Sequence, residues 1–294
     1  MMQEPRTVRA AAPRTLVWAA WANLVANIAI VVTGGAVRLT GSGLGCPTWP
    51  QCSDESYVPH GSLGLHGAIE FGNRMVTFAV AAIAIAAFVI AWRSGDRRAR
   101  TLALLIGLYI PIQAVIGGIT VLTDLNPWVV SFHFLSSMVI IGVCVLLIDH
   151  VVGGPRPAGA LLERRLAWSL LVLGWVVLYL GTVVTGSGPH SGDLDSRRTG
   201  LDPQVMSHLH AWVVYLLVAL TVVLVWLAVR SGHLALRQAA LGLLVLEVAQ
   251  GVVGFWQYFH DLPELLVATH MLGAALTSAA LTWVLLASRP HRAR

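Results

Sequence analysis

The sequence predicts an all-α integral membrane protein whose eight transmembrane helices form two parallel-repeat four-helix bundles. Three observations carry this reading. The chain is 56% hydrophobic and only 11% charged, with a mean hydropathy of +0.74, far from the usage of soluble domains. Eight apolar stretches approach or exceed about 20 residues, the length that crosses the hydrocarbon core of a bilayer. Finally, the stretch 113–133 (QAVIGGITVLTDLNPWVVSFH) recurs without a gap at 250–270 (QGVVGFWQYFHDLPELLVATH). Gln113, Gly117 and His133 match Gln250, Gly254 and His270, each displaced by 137 positions.

Spans are expected over 15–37, 66–92, 101–122, 129–149, 166–187, 205–230, 236–258 and 265–288. A short polar arm, 1–14, precedes the first. That span is too long for a signal-peptide core and lacks a clean small-residue cleavage site, so it reads as a genuine crossing. The chain has no lysine, and its net charge of +5 comes from nineteen arginines. Arg6, Arg9 and Arg14 precede the first span, and Arg93, Arg97, Arg98 and Arg100 follow the second. Arg156, Arg164 and Arg165 follow the fourth, Arg230 and Arg237 the sixth, and Arg289, Arg292 and Arg294 the eighth. The intervening loops carry Asp54, Glu55, Asp124, Asp193, Asp195, Asp202, Asp261 and Glu264, with only Arg38, Arg197 and Arg198 on or beside that side. The positive-inside rule then puts both termini in the cytoplasm. The expected location is the cell membrane, crossed eight times with lipid as the surrounding partner. The basic balance records orientation, which excludes a nucleic-acid partner.

A second echo of the repeat joins VVTGG at 31–35 to VVTGS at 183–187. Each half holds four spans that start from the cytoplasm, so the halves are parallel repeats related by an axis along the membrane normal. The expected division is a first half over 1–149, a Gly/Pro-rich then basic linker over 150–165, and a second half over 166–294.

Chemistry gathers at the outer ends of the spans. Cys46 and Cys52 lie away from the reducing cytosol, where disulfides persist. Their spacing closes a short loop, so a disulfide is expected, the alternatives being two free thiols or a transient metal pair. Cys144 reads as a packing residue. At the start of span two, His66, Glu70 and Asn73 stand at i, i+4 and i+7 on one helix face, followed by Arg74. An acid and a base inside a span mark a functional site or simply neutralise each other. The 137-residue offset pairs Asn73 with His210, so the second half presents His210 and His270 where the first presents Asn73 and His133. Two histidines on neighbouring helices near one membrane surface suit axial ligation of a haem iron inside a four-helix bundle. The alternative for each is a hydrogen-bonded packing residue. Gly251, Gly254, Gly273 and Ala274 leave room for a flat macrocycle.

At these residues the sequence resembles the haem A synthases, membrane enzymes that oxidise a methyl group of haem O to a formyl group. The likeness spans nearly the whole chain: TGGAVRLTGSGLGCPTWPQC with its cysteine pair, IEFGNR, FHF, TGSGPHSGD, HLHAW and ATHMLG. The resemblance implies a resident haem b held by His210 and His270, and a substrate site with His133 as one iron ligand. It implies that Glu70 is the essential acid, and that the reaction passes through successive hydroxylations. The chain departs from the family's Glu-x-x-His-Arg pattern at Asn73, since an asparagine amide is a poor iron ligand. His66 stands about 10 Å earlier along the helix, so the substrate iron takes either one histidine or, with the haem nearer the surface, His66. Arg38, Arg74 and His190 are candidates to pair with haem propionates, or else to snorkel at the interface.

A bis-histidine cytochrome b that only relays electrons is the main rival; it has no use for Glu70 or for an asymmetric first half. A transporter is the second, but matched Pro/Gly breaks in mid-span are lacking. Expected partners are haem O, the enzyme that produces it, and an electron-transfer partner.

Overall fold

The structure is a computed structural model described over residues 12–193 and 196–291 of the 294-residue chain. Arg6, Arg9, Asp195, Arg292 and Arg294 lie outside the described residues. Eight helices account for the spans: α1 (Arg14–Leu39), α2 (Gly64–Arg93), α3 (Arg97–Leu122), α4 (Pro127–Val152), α5 (Leu161–Ser187), α6 (Pro203–Arg230), α7 (Leu234–Phe259) and α8 (Glu264–Ala287). All are long and apolar enough to cross a bilayer, and among the described residues there is no β-strand beyond two isolated bridges. The protein is a multi-pass, all-α membrane protein.

The helices outrun several of the apolar windows because polar residues at their ends find partners. The helix α4 continues past 149: Asp149 takes a two-pronged contact from Arg156 at 2.7 and 3.0 Å, and His150 Nε2 meets Asp96 Oδ1 at 2.9 Å. The helix α5 begins at 161, earlier than expected, because the Glu163 carboxylate accepts from the Ala160 N–H at 2.7 Å and from Ser231 Oγ at 2.6 Å. The stretch between the two helices therefore shrinks from the expected 150–165 to 153–160.

Chain order sets the packing. The contacts α1–α2, α2–α3, α3–α4 and α1–α4 close one ring of four helices, and α5–α6, α6–α7, α7–α8 and α5–α8 close another. The rings meet through α4, α8, α1 and α5. There Ser278 Oγ donates to the Met138 carbonyl at 3.1 Å. Within the second ring Gly174 lies so close to Leu281 that any larger side chain would overlap it, the close approach that small residues permit between membrane helices. Large apolar side chains such as Trp18 and Leu265 point outward at 74% and 78% exposure, where lipid covers them.

The 137-residue offset holds in the backbone. Asp124 and Leu125, between α3 and α4, have φ of 51° and 54°; Asp261 and Leu262, between α7 and α8, have 54° and 56°. Two successive left-handed non-glycine residues are uncommon, so the same turn built twice is a specific likeness. Gly95 and Gly232, also 137 apart, end α2 and α6 with φ of 72° and 69°, a conformation that glycine adopts freely.

In the loop between α1 and α2, Cys46 and Cys52 form a disulfide. The loop after α5 folds back onto the first outer loop, Gly43 N–H donating to the Gly192 carbonyl at 2.9 Å. Cys144 is the free cysteine, buried against Asn27 of α1. Alkylation of denatured, unreduced protein is therefore expected to label one thiol, and reduction beforehand to raise the count to three, as read by intact mass. Three labels without reduction would remove the disulfide.

Candidate functional site

Ring closure puts helices two apart in sequence on opposite sides of each bundle. The pairs α2/α4 and α6/α8 make no backbone contact and face one another across the centre. This corrects the expectation of neighbouring helices: His210 and His270 come from diagonally opposed helices, because four helices closed in chain order set the second and fourth apart. His133, His210 and His270 each lie six or seven residues inside the outer end of their helix, about 10 Å along its axis.

The His210 and His270 rings approach across the second bundle with centroids 6.5 Å apart and planes at 74°. Each ring leans on a glycine: a Cβ on Gly181 would stand 3.4 Å from His210 Cε1, and one on Gly254 would stand 3.5 Å from His270 Cε1. The first half repeats the second contact, with Gly117 placed 3.3 Å from His133 Cε1 by the same measure. The glycine and histidine that align in the repeat therefore touch in both halves. In His133 and His270 Nδ1 is buried without a hydrogen-bond partner, whereas the His210 ring meets the Val177 carbonyl. Leaving a buried polar atom unpaired costs about 1–3 kcal/mol, a cost retained at both matched histidines of the repeat.

Between the paired rings lies a cavity of about 430 Å³, lined by His210, His270, Gly251, Gly254 and Ala274 among others. Gly273 stands aside from it; the Gln250 side chain fills the space that a Cβ there would take. An imidazole nitrogen bonds a metal at roughly 2 Å, so ring centres 6.5 Å apart match the separation that one metal bound by a nitrogen of each ring requires. Among the described residues no three His, Cys, Asp or Glu side chains gather as a bare-ion site. A haem brings four nitrogens of its own and needs only an axial pair, so the donor set fits a haem.

Two cavity residues extend the sequence reading of the second-half site, one of them the propionate candidate Arg38. Arg38 belongs to α1 yet lines the cavity, its Nε donating to the His190 carbonyl at 2.6 Å. The turn bearing His190 therefore brings a first-half cation to the rim of a second-half cavity. Burial holds the His190 imidazole below its ordinary range; Glu264 opposes this and Arg38 adds to it. The other is Glu247 on α7, 4% exposed, an acid inside an apolar span. That signal was visible in the sequence by the reasoning that singles out Glu70.

The first-half residues form a different constellation. Glu70 is buried, and both of its oxygens are engaged: Oε1 with Arg74 Nη2 at 2.6 Å, Oε2 with the Cys46 N–H at 2.6 Å. Arg74 also donates to the carbonyls of Cys46, Thr48 and Gln51 at 3.2, 3.0 and 3.0 Å. The two side chains thus clasp the disulfide loop onto α2, and the loop packs Trp49 against Gly118 of α3. Asn73 Oδ1 accepts from Thr33 Oγ1 at 2.8 Å, and Nδ2 lies against Gly34. His66 is exposed, its Nδ1 meeting Ser42 Oγ at 2.9 Å. His133 does not line the cavity; Gln113 braces its helix by donating to the His133 carbonyl at 3.3 Å and to Ser137 Oγ at 2.8 Å.

Residues 17–63 and 65–189 match the model of a family described as cytochrome oxidase assembly protein. Among curated proteins the chain is 25% identical to the Heme A synthase of Geobacillus thermodenitrificans, over 96% of this chain and 94% of that one. It is 25% identical to the Heme A synthase of Geobacillus kaustophilus over 95% and 94%. Identity to the Heme A synthase of Lysinibacillus sphaericus is 29%, over 58% of each chain.

Arg74→Ala leaves the buried Glu70 carboxylate without its ion-pair partner and held only by the Cys46 N–H, a loss of about 3 kcal/mol borne by the disulfide loop. Hydrogen exchange over 45–60 should rise by one to two orders of magnitude while the helix ends at the opposite face of the bundle keep their protection. Unchanged exchange in the loop would mean that Arg74 does not hold it.

Proposed function

The chain belongs to the cytochrome oxidase assembly protein family, and on that premise we propose that it is a haem A synthase, a membrane oxidoreductase converting a methyl group of haem O to the formyl group of haem A. The observation that carries the reading is the His210–His270 pair, facing across a cavity whose size and donor set suit a haem. In this reading the second half, 166–294, keeps a haem b, with His210 and His270 as axial ligands. When bound, that group supplies a one-electron redox centre. Gly181 and Gly254 hold the two imidazoles upright, and Arg38 at the rim offers a cation to an acidic edge. With both termini in the cytoplasm, the His210–His270 cavity lies toward the outer side. The names of the curated relatives support this reading over an electron-relaying cytochrome b.

The first half, 1–149, takes haem O as substrate. His133 offers one nitrogen ligand, and Asn73 stands where the repeat would supply the other. Asn73 already accepts a hydrogen bond from Thr33, which supports a site with a single strong iron bond. A substrate has to leave, and one bond releases it more readily than two. His66, turned to the surface toward Ser42, takes no part as a ligand. Glu70 serves as the acid–base residue beside the substrate, with Arg74 fixing its carboxylate. The two engaged oxygens also favour a second reading, in which Glu70 acts only by holding the loop over the site. Haem O comes from the enzyme that makes it, and electrons leave through a membrane electron carrier.

The purified protein is expected to show low-spin haem b absorbance, which His210→Ala or His270→Ala removes. Full low-spin absorbance in either variant would refute the axial assignment. Asn73→His should retain a second haem and slow turnover by about tenfold or more through product trapping; unchanged haem content would defeat the single-ligand reading. Glu70→Gln separates the two roles of that residue. Acid–base work predicts that conversion of haem O falls by 10²-fold or more with normal haem content and normal loop exchange. A loop that loosens together with activity assigns Glu70 to holding alone.

A further inference from the structure

Glu247, Gln250, Gln257 and Tyr258 stand at i, i+3, i+10 and i+11 along α7, the spacing of one helix face, and all four line the cavity. The seam begins near the outer end of the helix, where the Tyr258 hydroxyl meets His208 Nε2 at 3.3 Å. It ends at Glu247, about 16 Å deeper along the axis. Glu247 Oε1 lies 3.0 Å from Thr221 Oγ1, while Oε2 is buried with no partner, as is Gln257 Oε1. The Thr221 hydroxyl also lies 2.9 Å from the Leu217 carbonyl, and its single proton serves only one of these acceptors at a time. At the same repeat positions the first half keeps Gln113 and Gly117 but has Ile110 in place of Glu247. The acid is therefore an addition to the shared scaffold, confined to the half with the paired histidines.

We propose that Glu247 is a proton-binding site coupled to the redox state of the group held between His210 and His270. The inference rests on the reading of that pair as haem b ligands. As the group gains one electron from a one-electron donor, one proton from outer-face water travels the α7 seam and forms an O–H bond on the Glu247 carboxylate. Reoxidation releases both. The physical cause is charge balance: an electron added in a medium of low dielectric raises the energy of a nearby carboxylate, and a proton cancels the added charge. Gln250, Gln257 and Tyr258 provide polar atoms along the way in an otherwise apolar wall.

The other titratable or charged groups around this cavity are few. The helix α6 contributes His208, His210 and Tyr215, α7 contributes Tyr258, α8 contributes His270, and Arg38 stands at the rim; the lining residues of α5 carry no titratable side chain. His210 and His270 are committed as ligands. His208, exposed at the mouth, is the competing proton acceptor.

The test is a spectroelectrochemical titration of the purified holoprotein from about pH 5.5 to 8.5, a range that brackets proton uptake near neutrality. The midpoint potential of the wild-type haem is expected to fall as pH rises, approaching one proton per electron. E247Q should bind the same low-spin haem with a potential independent of pH, while H208Q keeps the slope. Reduced-minus-oxidised infrared spectra of the wild type should show a protonated carboxyl band on reduction. That band should shift in T221V, a measurement that decides the matter even if E247Q does not fold. A wild-type potential flat with pH, a slope that survives in E247Q, a slope lost in H208Q, or a carboxyl band indifferent to T221V would each overturn the proposal. Absence of low-spin haem from the wild type would overturn the haem reading and this inference together, whereas haem with a flat potential sinks this inference alone.

Discussion

A hydrocarbon core offers no hydrogen-bond partner, so every polar group placed in it is either satisfied within the chain or stands out. The eight helices meet this condition for the backbone. Most polar side chains meet it locally: Thr120, Thr182 and Thr221 donate to carbonyls one turn back, and Asn27 does the same within α1. Against that background the unsatisfied atoms among the described residues are few. They include Nδ1 of His133 and His270 and Oε2 of Glu247, together with amide oxygens of Asn23, Gln113 and Gln257. The constraint that forces the fold thus also isolates the groups left for chemistry.

The two halves share a scaffold and differ in what they place inside it. The turns at 124–125 and 261–262 have the same unusual backbone, and Gly117–His133 and Gly254–His270 make the same contact. Around that common frame the second half has His210 where the first has Asn73, and Glu247 where the first has Ile110. One interior offers two imidazoles and an acid; the other offers one imidazole and an amide already bonded to Thr33. Two substitutions at matched positions thus leave one scaffold with different donor sets in its two halves.

The halves are tied at both membrane faces. On the outer side Arg38 reaches from α1 to the His190 carbonyl, and Gly43 bonds Gly192. At the other face Arg156 grips Asp149 and the carbonyls of Leu286 and Arg289, and its backbone pairs with His291. Such clasps limit relative motion of the bundles. They keep the first-half cation Arg38 at the rim of the second-half cavity.

The class of the protein, its eight crossings and the internal repeat were legible in the sequence, because lipid demands long apolar stretches and a repeat leaves matched residues at a fixed offset. The candidate ligands were legible for the same reason, since an ionisable residue in a span is conspicuous. The pairing of Cys46 with Cys52 was open to local reasoning, the two being close in the chain. Which helices face one another was not: ring closure, a property of four packed helices, set α6 opposite α8. Nor could spacing tell that Glu70 and Arg74 grip the backbone of the disulfide loop, or that Arg38 serves the other half. Those contacts join positions 24 to 152 residues apart, and only close packing in three dimensions decides which of many polar groups a buried side chain meets.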